Sequence, residues 1–128
     1  MKRHAALQDL SREHHHALKL ALDCRRAAAA QDAAQQNAMI AACSARFASE
    51  LEPHFQIEER DLLPRLAAAG ETALVERTLA EHAAIRQLVA ALPQRGAGGL
   101  EEFAVLMNAH VRFEERQLFA ALEKLLPA

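Results

Sequence analysis

The stretch HFQIEERDLLPRL, residues 54–66, and its counterpart HVRFEERQLFAAL, residues 110–122, decide how this chain folds. Extended seven residues upstream, the segments 47–66 and 103–122 align without a gap and share eight identical residues, with His, Glu, Glu and Arg in step. Within each copy, the His and the first Glu are four residues apart, which on a helix puts them one turn apart on the same face. Apolar residues extend that face. One copy carries Ile40, Cys43, Phe47, Leu51, His54, Glu58 and Leu62, and the other carries Phe103, Met107, His110, Glu114, Leu118 and Leu125.

Two further helices read the same way. Leu7, Leu10, His14, Leu18 and Leu22 line up on one, Val75, Leu79, His82, Ile85 and Val89 on the other, and the pair Glu13-His14 answers Glu81-His82. Turn-forming composition separates the four segments at Gln31 to Gln36, at Ala67 to Glu71 with Gly70, and at Pro93 to Gly99. The predicted helices span Leu7 to Ala30, Gln35 to Leu66, Thr72 to Leu92 and Leu100 to Leu126. Short connections make neighbours antiparallel, so the expected fold is all-α, an up-down-up-down four-helix bundle forming one domain over residues 1–128.

Composition agrees with helices and narrows the function. Hydrophobic residues make up 52% of the 128, Trp and Tyr are absent, and the scarcity of β-branched and aromatic residues disfavours sheet. A formal net charge of −2 offers no basic field, so neither nucleic acid nor an anionic membrane is an expected partner. No stretch reaches the roughly 20 apolar residues of a membrane span, and no apolar run follows the basic N-terminus, so a cytoplasmic location is expected. Cys24 and Cys43 lack metal-site spacing and are read first as buried packing thiols; their midpoint near residue 33 or 34 allows them to face one another across the first hairpin, with a redox disulfide as the alternative.

The chemistry lies in the level of the histidines. In an antiparallel hairpin, residues equidistant from the turn sit side by side. His14 and His54 centre on Ala34, His54 and His82 on Ala68, and His82 and His110 on Gly96, each inside or beside a predicted turn. Four imidazoles therefore share one layer, about 21 Å from two of the turns and about 30 Å from the third at helical rise. Glu58 and Glu114 join them one turn along. Two buried carboxylates repel and take up protons unless a cation answers them, and a pair of bridged metal ions does so. The candidate ligands are His14, His54, Glu58, His82, His110 and Glu114. Mixed imidazole and carboxylate donors suit iron, manganese or zinc; iron is the first choice, as two ions with an oxo or hydroxo bridge.

The segments LSREHHHAL, HFQIEERDLLP, LAEHAAIR and HVRFEERQLF resemble the hemerythrin family, in particular its HHE cation-binding branch, over nearly the whole chain. The resemblance implies a di-iron centre with His14 and His54 on one iron, His82 and His110 on the other, and Glu58 and Glu114 bridging. Oxygen carriers of that family place a second His four residues after the one on the third helix; here that residue is Arg86, expected to bond a ligand carboxylate or to cap the open position. They also commonly use HxxxxD on the last helix, where this chain has Glu114 and Glu115. A carrier role is thus not implied. The leading expectation is a protein that binds, senses or buffers dioxygen, nitric oxide, peroxide or iron. The alternatives are a di-iron enzyme reducing peroxide or nitric oxide, and a structural bundle with zinc or no metal.

Among the remaining polar residues, His15 stands as an alternate ligand to His14, and His16 and His4 are expected in solvent. Glu59 and Glu115 are read first as surface partners of the Arg that follows each, and second as supports for the ligands or as substitute ligands. Glu13 and Glu81 are read as either supports or solvated residues. Pro53 is expected to kink the second helix just before His54.

Overall fold

The structure is a computed structural model and describes residues 3–127. All its regular structure among those residues is helical, in three hydrogen-bonded runs: α1 (Ala5–Ala29), α2 (residues 33–68) and α3 (residues 72–123). Each boundary has a local cause. His4 caps α1, its Nδ1 accepting from the Ala6 N–H at 3.0 Å in an exposed hydrogen bond, so this residue has a structural task in addition to its contact with solvent. Gln31 takes a positive φ of 55°, and the Asp32 carboxylate then accepts from the N–H groups of Ala34 and Gln35 to start α2. At the other end of α2, Gly70 (φ 85°) allows the Glu71 N–H to reach back to the Leu66 carbonyl at 2.9 Å, which satisfies a terminal acceptor and stops the helix.

The third connection differs from expectation. The segment 93–99 is helical on both sides of one residue, Gly96 (φ 58°, ψ −141°), and even Pro93 lies within the helical run. The chain nonetheless doubles back there. Glu81 and His110 would stand about 43 Å apart on a straight helix, yet their side chains meet at 2.6 Å. Run α3 therefore has two arms, residues 72–95 and 97–123, where the sequence suggested two helices and a loop.

Widened π turns interrupt the runs at Phe47–Leu51, Glu58–Leu62 and Glu114–Leu118. Pro53 and Pro64 each follow such a turn. The extra residue relieves the clash that a proline ring makes with the preceding turn, so the expected kink before His54 takes the form of a π turn. The third π turn has no proline; it opens on Glu114 as the second opens on Glu58.

Apolar residues bury into two clusters. One gathers Leu20, Cys24, Phe47, Phe55, Leu92, Phe103 and Met107 with others; the second gathers Leu7, Leu10, Leu63, Leu66, Phe113, Phe119 and Leu122 with others. The polar layer lies at the seam between them. On α1 the buried face runs Leu7, Leu10, His14, Ala17, Ala21, Cys24, while Leu18 and Leu22 are 37% and 41% exposed. Steps of three and four alternate along a straight seam, whereas repeated steps of four drift about 40° each, which carries Leu18 and Leu22 off the inner face. Leu79 is displaced likewise, and Thr78 is buried in its stead. No helix among the described residues is long and apolar enough to cross a membrane.

Gly96 predicts a sharp contrast. Gly96→Ala forces a β-carbon into a positive-φ conformation and should cost about 1–3 kcal/mol. Gly98→Ala meets open space and should leave stability equal or higher. Chemical denaturation of the two variants measures the difference, and equal midpoints would remove Gly96 as the hinge of α3.

Candidate metal centre

All six residues expected as ligands meet at the seam. His14, His54, His82 and His110 are no more than 5% exposed, and Glu58 and Glu114 are fully buried. Every imidazole turns Nε2 inward. His14 Nε2 lies 2.8 Å from Glu114 Oε1, His54 Nε2 3.1 Å from Glu58 Oε2, His82 Nε2 3.0 Å from Glu58 Oε1, and His110 Nε2 3.2 Å from Glu114 Oε2. Each carboxylate thus offers one oxygen to each histidine pair. The donors form two groups, His14, His54, Glu58, Glu114 and Glu58, His82, His110, Glu114, whose ligand atoms all lie within 4.8 Å of one another. The paired rings are evenly spaced, with centroids 5.1 Å apart for His14 and His54 and 5.0 Å for His82 and His110.

The outer nitrogens explain why Nε2 points inward. His14 Nδ1 donates to Glu115 at 2.5 Å, His54 Nδ1 to Glu13 at 2.7 Å, His82 Nδ1 to Glu59 at 2.7 Å and His110 Nδ1 to Glu81 at 2.6 Å. An ionised carboxylate only accepts, so Nδ1 carries a proton and Nε2 is the nitrogen left to face the centre. Glu59 and Glu115 therefore orient His82 and His14, which is the supporting role read second from the sequence, and Glu13 and Glu81 orient His54 and His110 in the same way. The pattern has an approximate two-fold symmetry. Exchanging α1 with the first arm of α3, and α2 with the second arm, carries His14–Glu115 onto His82–Glu59 and His54–Glu13 onto His110–Glu81.

Arg86 stands one step further out than expected. Its guanidinium forks onto Glu52 at 2.7 and 2.8 Å and onto Glu59 at 2.8 and 3.2 Å, and it lies 5.4 Å from the centre of the Phe55 ring. It touches neither Glu58 nor Glu114 through a hydrogen bond; it anchors the carboxylate that orients His82. Arg77 anchors Glu81 at 2.9 Å, and Ser11 and Arg3 anchor Glu115. The i,i+4 spacing of Arg77 and Glu81 was readable in the sequence, whereas Ser11 and Arg3 lie more than a hundred residues from Glu115 and left no local signal.

Other residues sort themselves by exposure. His15 is exposed, as is His16, which stands 3.5 Å from Glu50, so neither replaces His14. Phe55 stacks on His82 with centroids 3.8 Å apart, and Phe119 stacks on His14 at 5.3 Å, walling the layer from both clusters. Cys24 and Cys43 are buried free thiols. They lie close enough to act on one another, which lowers the Cys24 pKa and raises that of Cys43.

Electrostatics show what this cluster lacks. Burial opposes charge on each imidazole, yet the surrounding carboxylates prevail: His14 is raised, His82 is pushed up to about 9, His110 to about 10 and His54 to about 11. Burial and then the charge of Glu114 push Glu58 up; Glu114, despite complete burial, is held well below the usual carboxylate range by the imidazoles, His110 first. Glu58 Oε1, His82 Nε2, His110 Nε2 and Glu114 Oε2 have no hydrogen-bond partner among the described residues. At neutral pH the raised imidazoles would hold a second proton on Nε2, 3.0 to 3.7 Å from the carboxylate oxygens, and a metal cation can take the place of those protons. Donors about 2.1 Å from one metal ion stand about 3.0 Å apart at right-angled and about 3.4 Å at tetrahedral coordination, so the residues present fit a metal in each group.

Comparison with known proteins agrees with this geometry. The protein-family model described as Hemerythrin HHE cation binding domain matches residues 5–122. Uncharacterized proteins of Mycobacterium tuberculosis (strain ATCC 25618 / H37Rv) and Mycobacterium bovis (strain ATCC BAA-935 / AF2122/97) are each 38% identical over 78 residues, an alignment taking in 56% of this chain and 47% of the relative. The chain thus spans about half the length of the curated relatives it matches. No solved structure matches it.

The raised histidines give a pH prediction for protein freed of metal by a chelator. Below about pH 6.5 the imidazoles are protonated whether the chain is folded or not, and their pairing with the carboxylates contributes in full. As pH climbs through about 9 for His82, about 10 for His110 and about 11 for His54, that contribution is lost. Melting followed by circular dichroism should therefore fall by about 5–10 °C between pH 7 and pH 10; a rise over that window contradicts the charge assignment.

Proposed function

Since this chain belongs to the hemerythrin HHE cation-binding family, we propose that it is a non-haem di-iron protein that binds a small ligand, dioxygen, nitric oxide or peroxide. His14 and His54 hold one ion, His82 and His110 the other, and Glu58 and Glu114 bridge them. The observation that carries this reading is the division of each carboxylate, whose two oxygens turn to opposite histidine pairs. When bound, an iron pair supplies open coordination positions and one-electron redox steps. The chain's own residues do the rest: Glu13, Glu59, Glu81 and Glu115 keep the ring protons on Nδ1, and Phe55 and Phe119 keep water away from the ligand rings. Because Arg86 is occupied by Glu52 and Glu59, each ion has the same protein donors, two imidazoles and two carboxylate oxygens. That equality favours sensing, buffering or redox use over the unequal iron pair of the carriers.

The same reading takes the fold as an antiparallel up-down-up-down four-helix bundle, with α1, α2 and the two arms of α3 as its rods, and the chain as one domain. It places the protein in the reducing cytoplasm, where Cys24 and Cys43 stay thiols, with neither nucleic acid nor a membrane as partner.

Metal quantitation on untagged protein should give about two iron ions per chain, with zinc or manganese in their place as the competing result. His82→Ala touches one group and should leave about one ion; Glu58→Ala takes an oxygen from both and should lower the content below that. An optical spectrum of the reduced protein that changes on exposure to dioxygen or nitric oxide completes the test. Two ions retained by Glu58→Ala, or wild-type protein without metal, would overturn the reading.

A further inference from the structure

The approximate symmetry of the site extends beyond the ligands, and its breakdown is informative. Counting from the paired histidines, Arg86 corresponds to Leu18, Glu52 to Asn108 and Phe55 to Val111. Where α2 meets the first arm of α3, Arg86 spans Glu52 and Glu59 above the Phe55 ring, and that face is closed by a bidentate ion pair over an aromatic wall. Where α1 meets the second arm, those three corresponding positions carry neither charge nor ring; the arginine at that seam, Arg3, bonds Glu115 over the Phe119 ring from the start of α1, away from Leu18. A groove of about 720 Å³ lies there, lined by Leu18, Val105, Asn108 and Val111 with Arg25 and Arg112 also in its wall. Leu18 is one turn along α1 from His14, and Val111, 5% exposed, directly follows His110.

We propose that this groove is the entrance by which a small, weakly polar diatomic molecule reaches the metal layer, with Leu18 and Val111 as its gate. The inference rests on the di-iron reading and adds a route to it. Leu18, Val105, Ala109 and Val111 bring methyl groups to the wall of the groove. A charged molecule would lose its hydration in passing them, whereas dioxygen or nitric oxide has little hydration to lose. Rotation of exposed side chains takes picoseconds to nanoseconds, so Leu18 can swing aside without movement of the helices. On the opposite face, passage would require breaking four hydrogen bonds of Arg86.

Two measurements test the entrance. Leu18→Arg, Asn108→Glu and Val111→Phe together copy the closed face onto the open one. In the iron-loaded protein this variant should slow nitric oxide association at least tenfold in stopped-flow absorbance, with iron content and final spectrum unchanged. If the triple variant does not fold, Val111→Phe alone is used, with a slowing of at least threefold expected. Separately, methyl-labelled metal-free wild type under dissolved dioxygen should show its strongest paramagnetic relaxation at Leu18, Val105 and Val111, above that at Leu79, which is 44% exposed elsewhere. An unchanged association rate in a folded variant overturns the proposal, as does relaxation at Leu18 and Val111 no greater than at Leu79. Absence of iron would sink the preceding reading, while the methyl measurement still decides the groove.

Discussion

Two carboxylates removed entirely from water set the terms for everything around them. Glu58 and Glu114 lie where desolvation alone would neutralise them, and Glu114 keeps its charge only because four imidazoles converge on the same few ångströms. Each imidazole comes from a different length of helix. The four lengths must therefore arrive at one height, in one rotation, and with their apolar residues divided into a cluster above and a cluster below. A slip of α1 by one turn would leave Glu114 Oε1 without its closest nitrogen and bring Leu10 or Leu18 against a carboxylate. The polar layer thus enforces a register that Ala and Leu packing, tolerant of sliding, would leave loose.

The ring of outer carboxylates carries the same logic outward. Glu13, Glu59, Glu81 and Glu115 each sit in sequence beside one of the six convergent residues but serve a histidine on another run or arm, so α1 with α2, α2 with the first arm of α3, the two arms, and the second arm with α1 are each tied by one short hydrogen bond. Arg86, Arg77, Ser11 and Arg3 secure three of the four. Glu13, 44% exposed at its side chain, has only His54. The support is strongest around His82, where Arg86 takes hold of two carboxylates at once, and this is where the chain departs from the pattern of the oxygen carriers it resembles.

Much of this was legible in the sequence because helical spacing and burial of charge are local rules. The inner stripe of α2 from Ile40 to Leu62 is buried as read, and the six convergent residues were found from their spacing and the midpoints of the hairpins. Gly96, the midpoint of His82 and His110, is the residue where α3 breaks. The reading failed where phase accumulates or partners are remote. Leu18, Leu22 and Leu79 drifted off the seam by steps of four. The π turns have no composition signal, since one of the three lacks proline. The first turn falls about three residues before Ala34, in part because the π turn at 47–51 adds a residue to α2 alone. The role of Arg86 depends on Glu52 and Glu59, which only packing brings to it, and single-helix arguments placed Glu59 and Glu115 at an edge without saying what lay across from them.

The division of donors between the two helical hairpins has a thermodynamic side. The first hairpin owns His14, His54 and Glu58, the second His82, His110 and Glu114, and each four-donor group borrows one carboxylate from the other hairpin. Neither hairpin by itself presents a complete set, so cation affinity belongs to their union. A cation bound in either group would act as a clasp: the free energy of coordination would become free energy of holding residues 5–68 against residues 72–123, and chelation would loosen the whole molecule instead of emptying a local pocket.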